Sequence, residues 1–148
     1  MPRRPFRYDR HFTVEQANRM LPLIRAIVRD ICSVAAEIQQ RQQRLGELEV
    51  RSGFGRYYDE ERTLVIKELQ QDMSRLEQYL EELHQLGVEF KGWEGLVDFP
   101  AILHGREVFL CWKLGEPEVQ HWHELDAGLA GRQKLELPKD SQSPAKSC

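Results

Sequence analysis

The side chains best suited to chemistry lie in residues 121–124, whose sequence is HWHE. If this segment forms a strand, His121 and His123 share one face of it. Two imidazoles at that spacing can bind one divalent metal, such as Zn, Fe, Mn or Ni, together with the carboxylates of Glu124 and of Asp98 from another strand. These four residues are one candidate metal site. Alternatively, His123 and Glu124 form a dyad in which the carboxylate orients the imidazole for acid–base chemistry.

Two earlier strands determine where Asp98 lies. Residues 96–101 and 107–114 have the composition of strands, and His104-Gly105 between them is a turn signal. A two-residue turn there pairs Asp98 with Cys111 and leaves one face entirely apolar. That face consists of Val97, Phe99, Ala101, Val108, Leu110 and Trp112. The opposite face carries Asp98, Phe109, Cys111 and Lys113, so Asp98 is either a site residue or a solvent-side residue near Lys113.

The register of the third strand, within residues 119–124, has two solutions. A four-residue turn at 115–118 places His121 and His123 on the apolar face, where they would be packing residues. A five-residue loop places them beside Asp98 and Cys111, which would make a metal or acid–base site. The first register is favoured for His121. Cys111 itself is interpreted as a buried, inert thiol, because no base can be placed next to it.

The preceding residues, 12–87, have the periodicity of an antiparallel hairpin of two long helices. Apolar residues recur at alternating steps of four and three, which is the heptad seam of a coiled coil. Residues 52–58 contain two glycines and predict the tip of the hairpin. The first seam runs Ala17, Leu21, Ile24, Val28, Ile31, Ala35, Ile38, Gln42 and Leu45, and the second runs Ile66, Leu69, Met73, Leu76, Leu80 and Leu83.

The start of the hairpin carries two conflicting signals. Thr13 and Gln16 have the spacing of a capping box, which predicts a helix that begins at Val14. Pro22 then interrupts the pattern, so we expect a short helix over 14–20 and a long helix that opens at Pro22. A single kinked helix is the alternative.

Several apolar residues lie off both seams: Cys32, Val34, Leu48, Leu64 and Val65. Burial of a leucine side chain contributes roughly 1.5–3 kcal/mol to the free energy of unfolding, so we expect other residues to pack over these positions. Either the C-terminal lobe of the same chain or a second subunit provides them. We favour a homo-oligomer in which the hairpins pack together.

Composition limits the classes of function. The chain has 148 residues, a net charge of -3 and three widely separated cysteines, which fits a reducing cytoplasm. No apolar run approaches the ~18 residues needed to span a membrane, and no secretion signal is recognised. Residues 88–132 carry four basic and eight acidic side chains, which argues against nucleic-acid binding.

The fold class that follows is α+β, mainly α. We expect a flexible basic arm over residues 1–11, a helical hairpin over 12–87, a small antiparallel β lobe over 88–132 and a disordered tail over 133–148. The lobe holds the residues that could bind a metal or act in catalysis, so it is expected to carry the function.

The sequence resembles an uncharacterised bacterial family, a conserved domain of unknown function described as division-initiation-like. The resemblance covers nearly the whole chain except both tails. It begins with FTVEQAN at 12–18 and Leu21-Pro22, and it is stronger in the lobe. The matching motifs there are GLVDFPA at 95–101, GREV at 105–108, LCWKLGEP at 110–117, WHE at 122–124, Gly128 and Gly131-Arg132. The family has no established activity to carry over.

The resemblance implies a set of shared site residues in the lobe: Asp98, Glu116, His123, Glu124 and Arg132. His121 falls outside the family pattern, which weakens a two-histidine metal site. The favoured function is a self-associating binding or scaffold module whose polar site takes a small ligand or a protein partner. The alternative is a metal-binding protein or metal-dependent enzyme that uses His123, Glu124 and Asp98.

Overall fold

The computed structural model describes residues 6–51, 53 and 55–136. Two long helices come first and an antiparallel sheet of five strands follows, so the predicted α+β, mainly α, class is confirmed. The elements are α1 (Val14–Val50), α2 (Arg56–Gln85), β1 (Glu89–Gly92), β2 (Leu96–Leu103), β3 (Arg106–Lys113), β4 (His121–Glu124), a 3₁₀ turn (Leu129–Gly131) and β5 (Gln133–Lys134). The sheet therefore continues past residue 132, where the sequence placed the end of the lobe.

Helix α1 begins at the predicted capping box, in which the Thr13 hydroxyl accepts the Gln16 N–H and the Gln16 side chain accepts the Thr13 N–H. The expected break at Pro22 was wrong, because one helix runs through it. A proline inside a helix costs about 3 kcal/mol. Leu21 and Ile24, on either side of it, are buried in the main core, and their packing keeps the helix continuous.

The helices pack as a hairpin, but the seam of α2 changes toward the tip. The predicted residue Met73 is 52% exposed, and its neighbour Asp72 is buried instead. Asp72 forms an ion pair with Arg41 of α1, and its other oxygen lies 3.6 Å from Arg75 Nη1. In this part of α2 the buried residues are Val65, Leu69 and Asp72, so Leu69 is as predicted, whereas Val65 and Asp72 take the places expected for Ile66 and Met73.

The apolar residues off the seams are largely covered within the chain. Leu48 and Val65 are buried together with Leu69 in a small cluster near the tip, and Val34 is buried as well. Leu64 is 54% exposed. A second subunit is therefore not required to cover most of this row, and self-association stays a prediction.

The sheet has strand order β1-β2-β3-β4-β5 with every pair antiparallel. The predicted register of β2 and β3 is confirmed, with Asp98 opposite Cys111 and Phe99 opposite Leu110. The predicted apolar face packs against both helices in the main core, where Trp112 is completely buried. The other face of the sheet carries the polar residues.

The register of β4 corrects a prediction. His121 pairs with Cys111 and His123 with Phe109, so both histidines lie on the polar face and not beside Leu110 and Trp112. The connection from β3 is longer than either turn considered, because β4 begins only at His121. Val119, expected to start the strand, is instead buried in the core, and its N–H donates to the Asn18 side chain.

The residues before α1 contact the sheet through the carboxylate of Glu107. This carboxylate accepts the backbone N–H groups of Arg7 and Tyr8, and one of its oxygens lies 2.8 Å from His11 Nε2. The Glu107 side chain is only 8% exposed. Burial by itself raises the pKa of Glu107, but the bonds from His11 and the two N–H groups outweigh it and leave this pKa below its ordinary value.

We expect this carboxylate to make stability depend on pH in the acidic range. A group whose pKa is lowered in the folded state stabilises it above the unfolded pKa of about 4.5, and this contribution is lost as pH falls through the folded pKa. Glu107→Gln should therefore cost about 2 kcal/mol at neutral pH and progressively less below about pH 4.5. Thermal denaturation at a series of pH values measures this difference. Glu118→Gln, at an exposed position, is the matched control, and a cost for Glu107→Gln that does not change with pH would contradict the prediction.

Candidate metal centre

Three neighbouring strands bring one aspartate, one cysteine and one histidine together on the polar face of the sheet. Asp98 on β2, Cys111 on β3 and His123 on β4 each offer a ligand atom, and these atoms lie within 4.8 Å of one another. All three residues are 2% exposed. Asp98 and Cys111 are direct cross-strand partners, whereas His123 is diagonal to Cys111 because it pairs with Phe109.

The hydrogen bonds of His123 identify which nitrogen faces the cluster. Nδ1 lies 2.7 Å from the backbone carbonyl of Glu124, an acceptor, so Nδ1 carries a hydrogen. Nε2 lies 3.0 Å from Asp98 Oδ2. In the neutral imidazole Nε2 is then a lone pair facing a carboxylate, which is favourable only if a proton or a metal cation lies between them. A backbone bond that fixes Nδ1–H and frees Nε2 is the usual arrangement of a metal-binding histidine.

Asp98 is the member of the triad with an incomplete set of partners. Its Oδ2 contacts His123 and lies 3.2 Å from Lys91 Nζ. Its Oδ1 is buried and has no hydrogen-bond partner among the residues that the structure describes. An unpaired buried carboxylate oxygen costs free energy, so a ligand for it is expected. Asp98 is thus part of a polar cluster and not a solvent-side residue near Lys113.

Cys111 is a free cysteine that completes the cluster. Burial, and next the charge of Asp98, raise the pKa of its thiol to about 11. His123 Nε2 is directed at Asp98 Oδ2, and among the described residues no hydrogen bond joins it to the Cys111 sulfur, so this histidine is not placed to take the thiol proton as a general base. Nucleophilic catalysis by Cys111 is therefore disfavoured, whereas a bound cation would deprotonate the thiol and use the sulfur as a ligand.

A cavity of about 270 Å³ opens onto the triad. Asp98, Cys111 and His123 form its inner wall. Its remaining lining consists of Lys91, Leu96, Leu125, Asp126, Gly128 and Leu129. Lys91 reaches it from β1, a strand that the sequence analysis did not identify. A cation bound by the three residues would therefore have an open position toward the cavity.

The other predicted site residues lie outside this triad. His121 is on the same face as Cys111, but its Nδ1 points to Glu116, 3.6 Å from Oε2. Burial, and next the charge of Arg132, lower the pKa of His121. Glu124 is 2.5 Å from Arg106 Nη2 in a partly exposed ion pair. Of the four residues in the predicted metal set, the structure brings together only His123 and Asp98.

Glu116 and Arg132 form a separate cluster behind Cys111. One Glu116 oxygen lies 2.5 Å from Arg132 Nη2 and accepts the Lys113 N–H. Arg132 Nη2 also lies 3.5 Å from the Cys111 carbonyl. Burial raises the pKa of Glu116, but the bond from Arg132 and the Lys113 N–H outweigh it and lower this pKa overall. These contacts fasten the segment between the 3₁₀ turn and β5 to β3 and so support the position of Cys111.

The fold and the site define a small α+β protein with a helical hairpin, a five-stranded sheet and a buried Asp/Cys/His triad on the outer face of that sheet. The chain belongs to the uncharacterised conserved protein family DUF2203, whose family model matches residues 10–135. No curated protein and no solved structure matches it. Across the described residues, neither helix combines the length and the apolar character needed to cross a membrane.

Proposed function

We propose that this protein binds one divalent metal ion, with Zn²⁺ as the best fit, through Asp98 Oδ, Cys111 Sγ and His123 Nε2. The main observation in support of this proposal is that the three atoms lie within 4.8 Å of one another at a buried site. One thiolate, one imidazole and one carboxylate are ligands that Zn²⁺ takes in proteins, and four-coordinate zinc with three protein ligands keeps one position for water or a ligand. Fe, Mn and Ni are the other candidates, and the thiolate favours zinc over manganese.

Two features of the cluster support metal binding over a purely structural role. The bond from His123 Nδ1 to the Glu124 carbonyl leaves Nε2 facing the cluster, 3.0 Å from Asp98 Oδ2. The unpaired Oδ1 of Asp98 gives the carboxylate spare capacity at the same place. A cation would satisfy both groups at once and would neutralise the two anionic ligands.

The open coordination position is what would allow the metal to act on a bound molecule. A divalent metal with three protein ligands lowers the pKa of a bound water toward neutrality and polarises bound carbonyl or phosphoryl groups. The cavity on this side admits a small molecule to that position. The cavity therefore favours a metal-dependent enzyme over a protein that only stores or is stabilised by the metal.

Elemental analysis of protein purified without a histidine tag and equilibrated with Zn²⁺ tests the site. We expect one zinc per chain, which His123→Ala should abolish and His84→Ala should leave unchanged. His84 is the matched control because it is an exposed histidine at the end of α2. If the wild-type protein holds no stoichiometric Zn, Fe, Mn or Ni after loading, the proposed metal site is wrong.

Self-association of the hairpin, as a scaffold for a protein partner, is a second candidate. Tyr57 and Leu64 are 73% and 54% exposed and lie one heptad apart on α2, which places them on the same face of that helix. Light scattering at micromolar concentration tests this candidate. A strict monomer would count against it, whereas a dimer that Leu64→Ser dissociates would support it.

A further inference from the structure

We propose, resting on the metal site above, that the cavity takes a small monocarboxylate. Its carboxylate would bind the open position of the metal and pair with Lys91, and its short alkyl group would lie against the leucines of the wall. The class of ligand follows from the position of Lys91, the charges around it and the lining of the cavity.

Lys91 lies two residues after Glu89 in β1, at a point where the pairing with β2 is irregular. Phe90 pairs with Val97 and Gly92 with Leu96, so Lys91 is the extra residue of a β-bulge. Bulges re-aim a side chain and are over-represented next to active sites. Here the ammonium lies 3.2 Å from Asp98 Oδ2 and 4.2 Å from the centroid of the Phe109 ring, at the wall of the cavity.

Metal binding would change the electrostatic situation of this lysine. Its ammonium now lies between two carboxylates, Asp98 Oδ2 at 3.2 Å and Glu89 Oε1 at 3.5 Å. A metal bound to Asp98 neutralises most of the charge that Lys91 pairs with. Asp98 and the Cys111 thiolate together balance a divalent ion, so Lys91 keeps only Glu89 as an anionic partner and has a free hydrogen-bonding direction beside the open coordination position. An anionic oxygen ligand satisfies the metal and the ammonium together.

The rest of the cavity selects among anions. Leu96, Leu125 and Leu129 give it an apolar wall, which suits an alkyl group. Asp126, the one acidic lining residue outside the triad among those the structure describes, is paired with Arg7 at 3.2 Å, and a second negative charge on the ligand would lie unpaired against this wall. The cavity volume of about 270 Å³ is at the lower limit for small-molecule sites, roughly 300 Å³. A carboxylate with a tail of a few carbons meets both conditions.

Calorimetric titration of the zinc-loaded protein with butyrate tests this inference. We expect butyrate to bind, the neutral isostere butyramide to bind at least about tenfold more weakly, and Lys91→Met to weaken butyrate binding by about tenfold or more. Lys113→Met is the matched control, because Lys113 is an exposed lysine on β3 that does not line the cavity. Butyrate binding should also disappear when the zinc is removed with a chelator.

The metal content of each variant separates the two proposals. Lys91→Met should still hold one zinc per chain, since Lys91 is not a ligand. Zinc at full stoichiometry together with equal binding of butyrate and butyramide, or with undiminished binding by Lys91→Met, would overturn the carboxylate inference alone. Absence of stoichiometric zinc from the wild type would overturn the metal site and this inference with it.

Discussion

Cys111→Ala is expected to lose stoichiometric zinc, whereas Cys32→Ala keeps it. Zinc binds structural sites with about 10–16 kcal/mol, so the loss of one of only three protein ligands should weaken binding by at least about a hundredfold. Alanine removes the sulfur without introducing a new polar group into a buried position. The zinc affinity of each variant, measured by competition with a chromophoric chelator, gives the size of the effect.

The two cysteines form a well-matched pair for this comparison. Both are free thiols in the described part of the chain, and Cys32 is half-buried on α1 away from the triad. Its thiol donates to the Trp93 carbonyl at 3.5 Å, so Cys32→Ala also removes a sulfur that makes a contact within the chain. Burial, and next the charge of Glu94, also raise the pKa of Cys32. A difference in zinc affinity therefore reports the position of the sulfur and not the loss of a thiol in general.

Two further measurements identify the sulfur as a ligand. Zinc binding to the thiol releases its proton, so loading the wild type in a weakly buffered solution should acidify it by about one proton per metal. Replacement of zinc by Co²⁺ should give a thiolate-to-metal charge-transfer absorption, which Cys111→Ala removes. If Cys111→Ala binds zinc as tightly as the wild type and releases the same proton, then Cys111 is not a ligand.

The sequence predicted that Asp98 and Cys111 lie opposite each other, because a two-residue turn between their strands leaves few possible registers. His104-Gly105 joins β2 to β3, and the alternation of apolar residues then admits only one register. The observed positive φ of both turn residues fits a two-residue hairpin turn. Asp98 and Cys111 could therefore be paired from the sequence alone.

The third triad position, that of His123, stayed open between two registers, of which the one not favoured for His121 has the observed face, because the connection from β3 to β4 is not a tight turn. Seven residues separate Lys113 from His121, and interactions distant in the sequence determine their path. The Val119 N–H donates to the Asn18 side chain of α1, and Trp112 Nε1 donates to the Glu116 carbonyl. A shift of one residue in the pairing of β4 moves His123 from one face of the sheet to the other. The position of His123 is therefore determined by these long-range contacts, which the local sequence pattern does not reveal.

The hairpin illustrates the same limit. Near the sheet the apolar seam of α1 was predicted correctly through Ile31, because the apolar stripe there packs into a large core. Toward the tip the core is small, and the ion pair of Asp72 with Arg41 takes a position where the pattern favoured Met73. A buried aspartate that depends on a distant arginine has no signature in helical periodicity.

Trp112→Ala is expected to cost about 3–5 kcal/mol of the free energy of unfolding, the largest effect of any single tryptophan substitution in this chain. Trp112 is 0% exposed at the centre of the apolar face, and its indole N–H donates to the Glu116 carbonyl at 2.9 Å. Alanine leaves a cavity in the main core and an unmatched carbonyl in the β3–β4 connection. Urea denaturation measures the loss against a total stability of about 5–15 kcal/mol for a domain of this kind.

Two other substitutions separate packing from the hydrogen bond. Trp93 is 58% exposed and makes an edge-to-face contact with Phe90, so Trp93→Ala should cost only about 0.5–1 kcal/mol. Trp112→Phe keeps most of the buried area and loses the N–H, so we expect a cost of about 1–2 kcal/mol. Equal costs for Trp93→Ala and Trp112→Ala would mean that the apolar face of β2 and β3 is not the core of the protein. The opposite face, and with it the proposed metal site, would then lack its support, because neighbouring residues of β3 alternate between the two faces.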